Sequence, residues 1–356
     1  MSKILMIASE ATPFSKTGGL ADVIGALPAA LQARGDEVAV VLPLYRESAG
    51  FLEGAERVYN DLYVWLGLKN FQTHIRKVEQ EGVLFYFVDC PSLFDREFLY
   101  GPPGGDYPDN HVRFAVFCQA ALGVIRYLFR PDVIHCHDWQ AALTAPIIRC
   151  QYAGDPTFYG LKLLLTIHNL GYQGIFAREA LAELGLNPSL FHPDRLEFWG
   201  NINLLKGGIT YSDAISTVSK GYAREIQEPE LGFGLDGLLR SRADVLAGIV
   251  NGVDYNEWSP ANDRFIRERF GAGNLAGKRA CKRDLLEAFG LPADNLDRPL
   301  AATVSRFVSQ KGFDLIQEVA DALAAEDLSL IVLGSGEERY ERMFLDLAAA
   351  HPDRIA

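Results

Sequence analysis

Lys16-Thr17-Gly18-Gly19-Leu20-Ala21-Asp22-Val23 follows a short apolar run near the amino end. Gly18 and Gly19 let the backbone turn tightly and come close to a ligand. The helix expected after them offers free N–H groups and the positive end of a dipole. With the charge of Lys16 the set suits a phosphate or sugar phosphate; the plain alternative is a strand-to-helix turn with an exposed lysine. The spacing is neither that of a Walker loop nor that of the dinucleotide fingerprint. A second cationic loop, Ser305-Arg306-Phe307-Val308-Ser309-Gln310-Lys311-Gly312, precedes another helical pattern. Arg306 and Lys311 beside a helix N-terminus can clamp a diphosphate, the guanidinium giving a bidentate contact. A solvated basic loop is the other reading, less natural in an acidic chain. Gly334-Ser335-Gly336-Glu337 permits a close backbone approach but is a weak fragment of a fingerprint.

His135-Cys136-His137-Asp138-Trp139 forms a third group. His135 and His137 share one face of an extended strand, yet two ligands without an evident third make a poor metal site, so no metal is expected. Asp138 either caps the next helix or binds sugar hydroxyls from a strand end. In Leu164-Leu165-Thr166-Ile167-His168-Asn169-Leu170-Gly171-Tyr172-Gln173-Gly174 an apolar strand delivers His168 and Asn169 to a glycine-rich loop. No nucleophile elbow precedes an acid and a histidine, so a hydrolase triad is not supported. Asn251-Gly252 reads as a tight turn. Gly232-Phe233-Gly234-Leu235-Asp236-Gly237 matches a dinucleotide spacing formally, but no strand precedes it.

The elements that must position these residues are legible as short apolar runs alternating with helical patterns. The strands expected are 4–8, 38–42, 83–88, 133–135, 161–167, 214–218, 247–250, 300–304 and 329–333, mostly continuous apolar stretches of the kind covered on both faces. Helices are expected over 21–32, 111–129, 139–151, 275–289, 313–324 and 337–349. The alternation reads as a parallel α/β sheet. Most of the chemistry-bearing residues gather just after strands, where the ligand crevice of an open α/β sheet lies. A turn-rich stretch at 227–242 places a boundary near Leu246, giving domains 1–246 and 247–356. The second is short for a doubly wound sheet and is expected to be truncated.

At 356 residues with 49% apolar and 22% charged side chains, the chain can bury a large core. Lys plus Arg is 34 against 46 for Asp plus Glu, a net charge of −12. That surface repels phosphate sheaths and anionic lipid, so no nucleic acid and no membrane is expected as partner. Five loosely spaced cysteines carry neither a zinc nor a thioredoxin-like pattern and fit a reducing, cytoplasmic compartment.

Taken together and in this order, K-T-G-G-L-A-D-V, H-C-H-D-W, T-I-H-N-L-G-Y-Q-G, N-G-V-D, S-R-F-V-S-Q-K-G and G-S-G-E resemble the bacterial glycogen synthases and plant starch synthases. The resemblance runs from about Ser2 to the end of the chain. It implies two Rossmann-like domains in the GT-B arrangement, the second incomplete here, and a retaining α-1,4-glucosyltransferase. ADP-glucose would be the co-substrate, without a metal or other cofactor, and an α-1,4-glucan such as glycogen the acceptor. By that resemblance Lys16, Gly18 and Gly19 contact the donor, with Lys16 near its phosphates. Arg306 and Lys311 hold the diphosphate, with Gly336 close by. His168 and Asn169 lie beside the transferred glucose, Asn251 near sugar and diphosphate, and Asp22, Tyr100 and Asp138 toward the acceptor. Family members continue into an E-x7-E pair absent here, so a non-catalytic glucan- or nucleotide-sugar-binding fragment is the competing expectation. A nicotinamide dehydrogenase is a third, disfavoured by the missing fingerprint after the first strand.

Overall fold

The computed structural model describes residues 1–102 and 104–356, so Pro103 of the breaker-rich loop 101–108 lies outside the described residues. These fall into two compact units, Met1–Gly252 and Val253–Ala356.

The first unit contains the strands β1 (Lys3–Ile7), β2 (Glu37–Pro43), β3 (Glu56–Leu66), β4 (Lys69–Gln80), β5 (Val83–Asp89), β6 (Val133–His137), β7 (Lys162–Ile167), β8 (Ile175–Ala177), β9 (Glu197–Phe198), β10 (Asn201–Asn203), β11 (Ala214–Thr217) and β12 (Leu246–Gly248). Nine of them form one sheet in the order β12-β11-β7-β6-β1-β2-β5-β4-β3, while β8, β10 and β9 make a small separate sheet. From β12 to β5 all neighbours are parallel. Alternate residues of each central strand feed opposite layers. Leu5, Ile7, Ala39 and Val41 pack toward the helix Asn110–Tyr127 with Phe114 and Phe117. Met6, Ala8, Val38 and Val40 pack toward the helix Gly19–Ala33 with Leu20 and Ile24. Burial on both faces is what makes these strands read as unbroken apolar runs.

Two findings depart from the sequence reading. The antiparallel pair β3 and β4 was not expected. Its strands, ERVYNDLYVWL and KNFQTHIRKVEQ, are largely polar and half-exposed at the sheet edge, so they lack the continuous apolar run that betrays a buried strand. The strand expected over 247–250 does not open a second sheet. As β12 it pairs in parallel with β11, Leu246 opposite Ile215, and the division of the chain falls after Gly252 rather than Leu246.

In the second unit β13 (Leu300–Val304) and β14 (Ser329–Leu333) pair in parallel, Leu300 opposite Ser329. The helices Phe313–Glu318 and Ala320–Ala325 connect them, and Glu338–Ala350 follows. Phe307, Phe313, Tyr340 and Phe344 form its aromatic core.

Candidate active site

From β1 the chain runs outward to β2 and β5, then returns to β6 and runs the other way to β7, β11 and β12. The strand order therefore reverses between β1 and β6, and the crevice beyond their carboxyl ends is where an open α/β sheet binds ligands. Ser9 and Glu10 follow β1, Asp138 follows β6 and His168 follows β7.

Glu10 organises this place, although the sequence reading gave it no role. Its buried side chain accepts hydrogen bonds from the backbone N–H and hydroxyl of Thr17, from the Gly18 N–H at 3.3 Å and from the Tyr100 hydroxyl at 2.7 Å. Ser9 Oγ lies 2.7 Å from the same tyrosine hydroxyl. Burial raises the Tyr100 phenol well above its ordinary range, which keeps it a neutral donor to Glu10. Tyr100, expected toward an acceptor, thus spends its hydroxyl on bracing the Lys16–Gly18 loop. The fully buried Arg113 secures the segment leading to it by donating to the Leu93 and Leu99 carbonyls and to Asn110 Oδ1. A Cβ at Gly18 or Gly19 would meet no atom within 4 Å, so open space lies beside both glycines at the start of the helix Gly19–Ala33.

Lys16 and Asp22, expected at opposite ends of a ligand, are partners here, with Nζ and Oδ1 at 2.6 Å. Both are substantially exposed, and an exposed pair is worth roughly 0–1 kcal/mol, so an incoming phosphate can redirect the ammonium at little cost.

Asp138 stands in the left-handed region at φ +54°, which costs a non-glycine residue on the order of 1 kcal/mol. Its side chain does not cap the following helix. Oδ1 accepts the His168 backbone N–H at 2.7 Å, joining the ends of β6 and β7. Burial pushes this carboxyl up to about 7, opposed by the N–H groups of His168 and Asn169 and reinforced by the charge of Glu10. Asn169 Oδ1 accepts the Gly171 N–H at 3.0 Å, which shapes the loop after β7.

The imidazoles of His135, His137 and His168 follow one another, tilted by 36° at each step, with ring centroids 4.0 and 5.3 Å apart. His137 Nδ1 lies 3.0 Å from His168 Nε2, and His135 Nε2 lies 2.6 Å from Thr166 Oγ1. Burial pushes His135 down to about 3 and His168 down to about 4, and holds His137 well below the ordinary value. Among the described residues no group of three or more His, Cys, Asp or Glu side chains is placed to hold a metal.

These shifts have a definite sign. An unfolded imidazole takes up a proton below about pH 6.5, while the buried rings resist it for two units or more, so stability falls as pH falls through that window. Asp138 acts oppositely: its contribution is complete below an unfolded value of about 3.9 and is lost as pH rises toward 7. Three rings outweigh one carboxyl. His135→Gln keeps a nitrogen toward Thr166 and removes one titrating ring. It is expected to flatten the loss of stability between pH 6.5 and 4 by about 1.4 kcal/mol per pH unit. Urea denaturation at pH 7, 6 and 5 checks this, and parallel curves for variant and parent would contradict it.

In the second unit Arg306 and Lys311 are both exposed on the loop after β13. Their neighbours are anchored: the Phe307 N–H donates to the Ser335 carbonyl at 2.8 Å, and Gly312 turns the chain at φ +78°. Gly336 serves this anchoring. A Cβ there would come within 2.3 Å of the Phe307 carbonyl oxygen, so the glycine is required by the chain's own backbone. Asn251 is exposed near the end of the first unit.

A family model described as the starch synthase catalytic domain matches residues 3–241. The glycogen synthase of Koribacter versatilis is 49% identical over 354 residues, covering 99% of this chain and 72% of that protein. Glycogen synthase 2 of Geobacter metallireducens is 47% identical over 338 residues, covering 95% of this chain and 70% of that protein. Among solved structures, the catalytic domain of Starch Synthase IV from Arabidopsis thaliana, bound to ADP and acarbose, matches with a TM-score of 0.88 at 31% identity, over 99% of this chain and 72% of that one. A sucrose-phosphate synthase from Thermosynechococcus elongatus shares the fold alone, at 15% identity and a TM-score of 0.52.

The fold and the family model thus place the chain among the glycosyltransferases of the GT-B kind. Within that class the chain belongs to the glycogen and starch synthase family. Membership favours the enzyme over the binding-only fragment and over the dehydrogenase. No helix among the described residues is long and apolar enough to cross a membrane.

Proposed function

We propose that this chain transfers glucose from ADP-glucose to the non-reducing 4-hydroxyl of an α-1,4-glucan, with retention of the α configuration. The observation that carries the reading is the cluster Glu10, Asp138 and His168 at the reversal of strand order, in a family member whose solved relative holds ADP and acarbose. Glu10 braces the Lys16–Gly19 loop, whose ammonium, glycine backbone and helix end suit the donor's phosphates. Arg306 and Lys311 supply two cations for a diphosphate that gains charge as the glycosidic bond breaks. His168 is uncharged at neutral pH. Its imidazole therefore binds a sugar hydroxyl without placing a positive charge beside an oxocarbenium-like centre. An Asp138 carboxylate on the same rim favours such a centre, with its Oδ1 held by the His168 N–H. The departing phosphate then takes the acceptor's proton, the front-face route for a retaining transferase without an enzymatic nucleophile.

ADP release from ADP-glucose in the presence of a malto-oligosaccharide primer is the direct test. Lys16→Ala is expected to lower kcat/KM for ADP-glucose by about 10–100-fold, the value of one charged hydrogen bond to phosphate, with an unchanged far-UV spectrum. An unaltered rate would remove Lys16 from the donor site. No ADP release from the parent protein with this donor would defeat the proposal.

A further inference from the structure

We propose that Trp199 and Phe233 form an aromatic platform that holds an α-glucan chain beside the His168 loop; this rests on the glucan reading above. Trp199-Gly200 joins β9 to β10 with φ of +51° and +83°, and Phe233-Gly234 repeats the geometry at +49° and +79°. Left-handed turns of this kind favour Asn, Asp or Gly at the first position, and a bulky aromatic there is an outlier. Both turns nevertheless direct a large ring to solvent: Trp199 is 82% exposed and Phe233 48%. Strained backbone that exposes apolar surface points to a ligand rather than to the core.

The two turns form one surface. A Cβ at Gly234 would lie 3.0 Å from the Phe198 ring and 3.6 Å from Trp199 Nε1, and one at Gly171 would lie 3.8 Å from the Phe233 ring. Gln173, buried, ties this surface to the loop that carries His168. Its Nε2 donates to the Leu170 carbonyl at 3.1 Å and to the Phe233 carbonyl at 3.2 Å, while its Oε1 accepts from Asn203 Nδ2 at 2.6 Å. The platform is thus continuous with the candidate site and fixed to it.

The occupant is set by area and chemistry. An aromatic side chain can bury roughly 150–250 Å² and these two are 82% and 48% exposed, so together they fall well short of the roughly 800 Å² per partner of a stable protein interface but match a pyranose ring or two. A pyranose offers an apolar C–H face to a ring and hydroxyls to the polar rim, where the indole N–H can donate.

Asn tolerates the left-handed region, so Trp199→Asn and Phe233→Asn remove the rings while relaxing the turns. The parent protein is expected to be retarded in native gels containing glycogen. The double variant should bind glycogen about tenfold more weakly and show a higher KM for glycogen in the ADP-release assay, with a thermal midpoint at or above the parent's. Full retardation of the double variant, while the parent transfers glucose to glycogen, would overturn the platform and leave the glucan reading standing. A parent that neither binds glycogen nor transfers to it would overturn both. A fall of several degrees in the midpoint, or a change in sedimentation without a change in glycogen binding, would make the rings packing or self-association elements and overturn the proposal as well.

Discussion

Arg306→Ala is expected to lower kcat for glucosyl transfer by about 10²–10³-fold, the usual effect of deleting one donor that stabilises charge developing in a transition state. The diphosphate bears more charge when it departs than in the bound donor, so the loss should fall on kcat more than on KM. Arg306 is exposed and its anchored neighbour Phe307 is untouched, so stability should stay within about 0.5 kcal/mol of the parent. Arg306→Lys keeps the charge but not the fork and should fall between the two. Steady-state ADP release combined with a thermal melt separates these cases. A kcat within a few-fold of the parent would mean that Arg306 does not face the leaving group.

Glu10→Ala is expected to act on structure and activity together. It strips acceptors from Thr17 N–H and Oγ1, from Gly18 N–H and from the Tyr100 hydroxyl, leaving the exposed Thr17 to water and the tyrosine hydroxyl only Ser9. Charged hydrogen bonds of this kind are worth about 1.5–3 kcal/mol each and are not additive, so a net loss of about 3 kcal/mol is expected in a urea titration. The Lys16–Gly19 loop would lose its brace, and a displacement of about 1 Å in a positioning element costs about 10²-fold in rate. Glu10→Gln should be milder, because its amide oxygen can still accept the Thr17 and Gly18 N–H groups while its NH2 donates to the two hydroxyls, which can accept. An unchanged urea midpoint for Glu10→Ala would show that the loop is held by something else.

Much of the chemistry was legible because the fold exposes it at fixed places in the chain. Strands covered on both faces must be apolar throughout, so β1, β2, β5, β6, β7 and β11 stand out as runs, and the polar residue types after them mark one rim. Asp138 and His168 follow β6 and β7 on that rim, and Arg306 and Lys311 follow β13 in the second unit. The hairpin of β3 and β4 escaped because an edge exposed to water needs no such run. The place of β12 escaped because a three-residue strand carries no mark of which sheet it joins. Gly336 was read as an approach toward a ligand, since a glycine in a sequence says that something comes close but not what does.

By itself, then, the sequence determined the strand–helix alternation, the acidic surface and the identity of the loops at the strand ends, all of them properties of local pattern and composition. Tertiary structure alone decided who meets whom. Placing β6 beside β1 brings Asp138 into the electrostatic reach of Glu10, and placing β7 beside β6 sets His168 against His137. The same folding turns Tyr100 inward onto Glu10. Such contacts join residues far apart along the chain, and their existence depends on strand order and burial, which no local run of residues encodes.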